Sequence, residues 1–173
     1  MKRTIRNAAK SKQEIIEKSA PVFNINGYSG TTMQMLVDVT GYQMGGIYRH
    51  FKTKKDLAKA AFQYNYEVLL KRNLELNSEL NPKEKLVSIL NNYKKMVLKP
   101  ATIGGCPILN TATEVDDTDE EFRLLTKFYA EEVITMIERI LEEGKTTGYF
   151  KTSISSKQEA YLIFASIEGA IML

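Results

Sequence analysis

Apolar residues recur at helical spacing along most of the chain. Between Ser11 and Asn26 the repeating set is Ile15, Ile16, Ala20 and Phe23, the pattern of a helix with one buried face. Asn26-Gly27 supplies its C-terminal stop, and Pro21 bends or loosens it by removing one backbone donor. Thr31-Thr32 then precedes MQMLVDVTG, with Gln34 three residues after Thr31 in capping-box position. A short second helix follows, with Met35 and Leu36 inward and Gly41 at its end. Ile47 and Phe51 place a short third helix between Gln43 and His50. Thr53 and Asp56 bracket another capping-box start, from which a helix continues without Gly or Pro to about Ser78.

Beyond Asn81-Pro82 the period stays helical. Leu86, Ile89, Leu90, Tyr93, Val97 and Leu98 mark one helix, which Lys99-Pro100 stops. The stretch ATIGGCPILNTATEV opens with a Gly-Gly turn, and Pro107 suits the first turn of a short helix. The acidic DDTDEE complements the dipole of a strongly periodic helix from Phe122 to Glu143. After EGKTTGYFKTSISS comes a last, unusually apolar helix from Ser156 to Leu173. It breaks off at Ile171-Met172-Leu173 with no stop signal, so the natural chain is expected to extend further. No run of alternating β-branched residues is long enough for a sheet. The expected fold class is all-α.

Composition narrows the function. Of the 173 residues 43% are hydrophobic and 26% charged, which gives a globular chain of one compact unit or two small ones. No apolar run reaches the ~18 residues of a membrane span, and the polar, basic Met1–Lys18 has no signal-peptide core. Cys106 is the single cysteine, which excludes an intramolecular disulfide and fits a reducing cytoplasm. His50 and Cys106 stand alone, with no ligand spacing around them, so neither a metal nor a cofactor is expected. No nucleophile with a base, carboxylate pair or phosphate loop is present, so an enzyme is not expected. The net charge of +3 is uneven: residues 1–60 hold eleven Lys/Arg against four Asp/Glu, and the remainder thirteen against seventeen. The first third suits a polyanion.

Against that background Gly45-Gly46 raises a question, since each glycine costs a helix about 1 kcal/mol relative to Ala. Three helices with a tight Thr40-Gly41 turn between the second and third are the layout of a helix-turn-helix, whose second member enters the major groove. A backbone that must approach base edges and phosphates gains from having no Cβ.

NGYSGTTMQML, then Gly41, then GGIYRHFKTKKDL resembles the N-terminal helix-turn-helix of TetR/AcrR-type bacterial transcriptional regulators, with their G-Y-x-x-T-T, Y-x-H-F and F-x-[ST]-K-x-x-L motifs. The likeness spans Ser11 to Phe62. GGCPILNTATEV and Pro21 resemble a subgroup with a Gly-Cys start to a short C-terminal-domain helix. The resemblance implies a DNA-binding domain over residues 1–54 and, joined through a long helix, a ligand-binding and dimerisation domain over 55–173.

It also implies roles. Thr31 and Thr32 would cap the second helix and face phosphate. Gln43, Met44 and Gly46 would read base edges, with Gly45 in the same contact surface. Tyr48, Arg49 and His50 would grip the backbone, and Lys54 would add a phosphate contact. A Ser-Lys pair is frequent in the family where Gln43-Met44 stands, so the operator sequence is not inherited by analogy. The expected partners are a palindromic DNA operator, a small-molecule inducer and a second copy of the chain through the last two helices, with no membrane. Candidates for the ligand pocket are Tyr64, Tyr93, Met96, Cys106, Asn110, Phe128 and Tyr129. The function so read is a dimeric repressor released by ligand. Control through Cys106 modification, control by a protein partner, and an activator are the alternatives.

Overall fold

A computed structural model describes residues 2–74, 79–98, 104–115 and 117–173. Among these there are eight helices and no strand: α1 (Lys2–Gly30), α2 (Met33–Thr40), α3 (Met44–Tyr48), α4 (Lys54–Leu74), α5 (Pro82–Leu98), α6 (Pro107–Val115), α7 (Glu120–Thr146) and α8 (Ser156–Met172). They form two compact units, one of residues 1–68 with 102–114, the other of residues 69–101 with 115–173. The division falls inside α4, not at its start, and the first unit takes in most of α6.

In the first unit α1 begins at Lys2 rather than Ser11. Nothing between them breaks a helix, and the intervening Lys, Arg and Ala residues favour one. Ile15, Ala20 and Phe23 are buried as the periodicity requires. Pro21 is accommodated inside α1, and beside it the buried Asn65 of α4 donates its Nδ2–H to the Ala20 carbonyl at 2.9 Å. The regular helix breaks at Gly27, whose φ of 72° and ψ of 173° suit a residue without a Cβ. Tyr28–Gly30 then add a further turn beyond the predicted stop.

Thr32, in extended conformation, is the N-cap of α2, its side chain accepting the Met35 N–H at 3.2 Å. Left-handed Gly41 closes that helix with its N–H on Val37 O. Lys18 donates to the Thr40 carbonyl at 3.0 Å, a cation at a helix C-terminus. At the start of α4 the predicted capping box is present: Asp56 N–H donates to Thr53 Oγ1 at 3.1 Å, and Thr53 N–H donates to Asp56 Oδ2 at 3.0 Å.

The second unit packs α7 against α8 and both against α5. Asn81 and Glu84 form a reciprocal box at the start of α5. Asp119 caps α7 by accepting from Glu121 N–H and Phe122 N–H, with Glu120 and Glu121 in the first turn where the dipole favours anions. Ile89, Phe122, Val133, Ile137, Leu141, Ala160 and Ile167 are buried. On the surface the Tyr161 hydroxyl lies 2.8 and 3.0 Å from the two Glu131 oxygens, a bond that holds its pKa above the usual phenol value.

Near the end of α7 the Phe150 ring lies against buried Gly144, in the space a Cβ there would need. Phe150 N–H also donates to the Gly144 carbonyl at 3.0 Å. Gly144→Ala should therefore lower stability by ~1 to 3 kcal/mol, the usual cost of overpacking. Denaturant unfolding checks this; an unchanged midpoint would show that the ring can swing aside.

Candidate nucleic-acid interface

The surface raised by α2, the turn after it and α3 is built from beneath. Leu36, Ile47 and Phe51 are buried, α2 packs on both α1 and α3, and the Lys12 ammonium of α1 lies 5.4 Å from the Phe51 ring centroid. Around the turn, Tyr42 donates its hydroxyl to Glu14 Oε2 at 2.8 Å, and Tyr42 N–H donates to Thr40 Oγ1 at 3.2 Å. The ordered helix is shorter than Gln43–His50: Gln43 is the N-cap, Met44–Tyr48 are helical, and Arg49 and His50 follow as a turn.

With Ile47 and Phe51 inward, most of the residues around Ile47 face out. Gln43, Gly45 and Arg49 are exposed, Met44 and Tyr48 are each 43% exposed, and Gly46 and His50 are half-buried. Neither Gly45 nor Gly46 has a positive φ. A Cβ on Gly45 would meet nothing within 4 Å, and one on Gly46 would make ordinary contact with the Tyr42 ring at 3.7 Å. No internal contact or backbone angle therefore requires either glycine. The bare backbone at Gly45 instead gives close access to whatever approaches from outside.

Two expected site residues have other work in this structure. Thr31 does not cap α2: it is fully buried, and its hydroxyl donates to the Gly27 carbonyl at 2.6 Å. The cap is one residue later, because the turn Tyr28–Gly30 carries the chain inward at Thr31 and leaves Thr32 exposed. The Lys54 ammonium is turned inward as well. It donates to the carbonyls of Tyr28 at 2.7 Å and Thr31 at 2.8 Å and lies 4.3 Å from the Tyr28 ring centroid. Carbonyls exposed where α1 ends attract that cation, so Lys54 fastens α4 to the end of α1.

The ligand candidates are divided between the two units. Asn110 bonds to α1 and Cys106 is fully buried, both within the first unit. Tyr64 is half-buried in the first unit as well. In the second unit Phe128 is 58% exposed and meets Tyr129 edge to face at 5.2 Å. Buried Tyr93 lines an open cleft of 540 Å³ between α5 and α8, with Leu90, Leu162, Ile163 and Ile167 as apolar walls and Lys94 and Glu159 among its polar groups. The Met96 side chain lies outside the described residues. No cluster able to hold a metal ion occurs among the described residues, and none of their helices is long and apolar enough to cross a membrane.

Glu114, Lys18 and Tyr42 went unnoticed in the sequence as builders of this surface. Their partners are 22 to 86 residues away, and no local periodicity marks such pairs.

Comparison with known proteins agrees with this geometry. A model of the bacterial regulatory proteins of the tetR family matches residues 15–61, and one of a tetracyclin repressor-like C-terminal domain matches residues 82–173. The solved structure of a TetR transcriptional regulator from Chloroflexus aurantiacus is 33% identical with a TM-score of 0.90, over 96% of this chain and 85% of that one. A TetR-family regulator from Cytophaga hutchinsonii is 31% identical with a TM-score of 0.84, over 96% and 84%. The HTH-type transcriptional repressor DhaR of Mycobacterium sp. (strain GP1) is 25% identical over 93% of this chain and 80% of its own length. The chain belongs to the TetR family of bacterial transcriptional regulators and is a DNA-binding protein of the helix-turn-helix type.

Proposed function

We propose that this chain is a dimeric repressor that reads a palindromic operator through α3 and releases it when a small apolar ligand binds the second unit. The observation that carries the reading is the exposed, side-chain-free backbone at Gly45, held over buried Ile47 and Phe51. In the groove, Gln43 and Met44 face base edges, Gln43 able to bond adenine and Met44 offering apolar contact. Thr32, Tyr48, Arg49 and His50 border the phosphates. The repressor sign follows the likeness to the repressor DhaR.

A dimer is supported by apolar surface on the last two helices. Leu124 and Phe128, one turn apart on α7, are 53% and 58% exposed, and Leu162 on α8 is 61% exposed. Pairing α7 and α8 with a second copy would cover them in an isologous four-helix contact. Reading two half-sites one turn of DNA apart requires the two recognition helices to lie about 34 to 36 Å apart. The α5–α8 cleft, apolar with Lys94 and Glu159 among its polar groups, suits a small apolar ligand with a polar end. A ligand that favours the conformation with the wrong spacing weakens DNA binding by the same factor as DNA weakens ligand binding. Complete burial of Cys106 denies a reagent the access that control by thiol modification needs.

Selection from a random DNA pool tests the reading, with a two-fold symmetric site expected and sequence-independent binding alone contradicting it. Gln43→Ala should alter base preference by ~1 to 3 kcal/mol at one position of each half-site; a uniform loss across all sequences would show that Gln43 reads nothing. Gly45→Ala should raise folding stability by as much as ~1 kcal/mol while operator affinity falls, and Gly45→Leu should abolish specific binding. Opposite signs in calorimetry and anisotropy are the expected signature, and unaltered affinity of the Leu variant would remove Gly45 from the interface. Phe128→Glu should convert the dimer to monomer in analytical ultracentrifugation; a persistent dimer would place the interface elsewhere.

A further inference from the structure

We infer that Glu114 is a positioning residue for DNA binding: through α6 its carboxylate fixes the break in α1 that the helix-turn-helix hangs from. The inference rests on the regulator reading above. Glu114 Oε2 accepts the Tyr28 N–H and Oε1 the Ser29 N–H, both at 2.8 Å, across 86 and 85 residues of sequence. These amides follow directly on the non-helical Gly27, where the restarted turn has no carbonyl of its own to offer them. A carboxylate taking two consecutive amides is a short, charge-assisted clasp. Gly27 makes room for it: a Cβ there would lie 2.5 Å from Oε2 and 2.9 Å from Cδ.

One turn earlier on α6, Asn110 grips one turn earlier on α1. Its Nδ2 donates to the Asn24 carbonyl at 3.1 Å and the Gly104 carbonyl at 2.7 Å, and Asn24 Nδ2 donates to the Gly105 carbonyl at 3.2 Å. Two anchors of matching spacing on both helices hold α6 against the end of α1 in a single register.

From the break the bonds lead to the DNA-facing surface. Thr31 donates its N–H at 3.2 Å and its hydroxyl at 2.6 Å to the Gly27 carbonyl. Lys54 bridges the carbonyls of Tyr28 and Thr31, and the next residue, Thr32, caps α2. A displacement of Tyr28 and Ser29 thus reaches the N-terminus of α2 within three residues and the start of α4 through one ammonium.

The sign of a mutational effect separates positioning from bulk charge. Removing a carboxylate from a protein that binds a polyanion strengthens binding if charge alone matters, whereas loss of the clasp weakens it. Glu114→Asp keeps the charge and loses the reach, Glu114→Gln keeps the size and one acceptor, and Glu114→Ala loses all three. Each is made in the full chain, and affinity for the operator selected by the wild type is measured at two salt concentrations beside thermal unfolding and amide exchange at Tyr28 and Ser29.

The expected result is a fall in operator affinity of about tenfold for both the Asp and Ala variants, the scale of lost hydrogen bonds to a charged group. Glu114→Gln should fall between these and the wild type, the salt slope and cooperative unfolding should be retained, and both amides should exchange faster. Wild-type affinity in Glu114→Asp, or tighter binding in Glu114→Ala, overturns the role of Glu114 and leaves the regulator reading intact. A wild-type chain that selects no operator overturns both, which keeps the two failures distinct.

Discussion

A helix of five residues cannot hold its own shape in water, because nucleation is unfavourable and so few bonds follow it. α3 is such a helix, and two of its positions are glycine. Its conformation depends on what lies below it: buried Ile47 within it, Phe51 just after it, and Leu36 of α2. This dependence frees the outer face. Since packing from one side supplies the stability, the other side can forgo helix-favouring side chains and present backbone at Gly45.

The same economy recurs where α1 ends. Its terminal carbonyls and the amides beyond Gly27 need partners, and they find a cation from α4 and a carboxylate from α6. Lys54 and Glu114 belong by sequence to stretches expected to touch DNA or ligand, yet both act on the backbone of α1. Their consequence is mechanical: the starts of α2 and α4 and the register of α6 converge on three or four residues around Gly27. The Gly-Cys segment is accordingly part of the framework of the first unit, with Cys106 packed and Asn110 bonded to α1.

Features whose physics is local were legible in the chain. The apolar period located the buried Ile15, Ala20 and Phe23 of α1, because a helix repeats its inward positions whatever it packs on; in α5 and α7 it located Ile89, Tyr93, Phe122, Val133 and Ile137, whereas Leu90 and Phe128 are exposed and the Val97 and Leu98 side chains lie outside the described residues. Thr53 with Asp56 marked the start of α4, since a capping box involves residues only three apart. At Thr31 and Thr32 local reasoning was off by one residue. The two threonines are alike in chemistry, and only the turn beyond Gly27 decides which is buried.

By itself the sequence determined the all-α class and the helix-turn-helix layout, and its motifs carried the family resemblance, because periodicity, caps, the glycine pair and short motifs are properties of contiguous residues. Tertiary structure alone decided that Lys54 faces the α1 carbonyls, that Thr31 is buried, that Cys106 is closed off and that Glu114 clasps Tyr28 and Ser29. The physical reason is that a buried backbone donor or acceptor needs a partner from wherever the fold brings one, and the partner of an amide at residue 28 comes from residue 114.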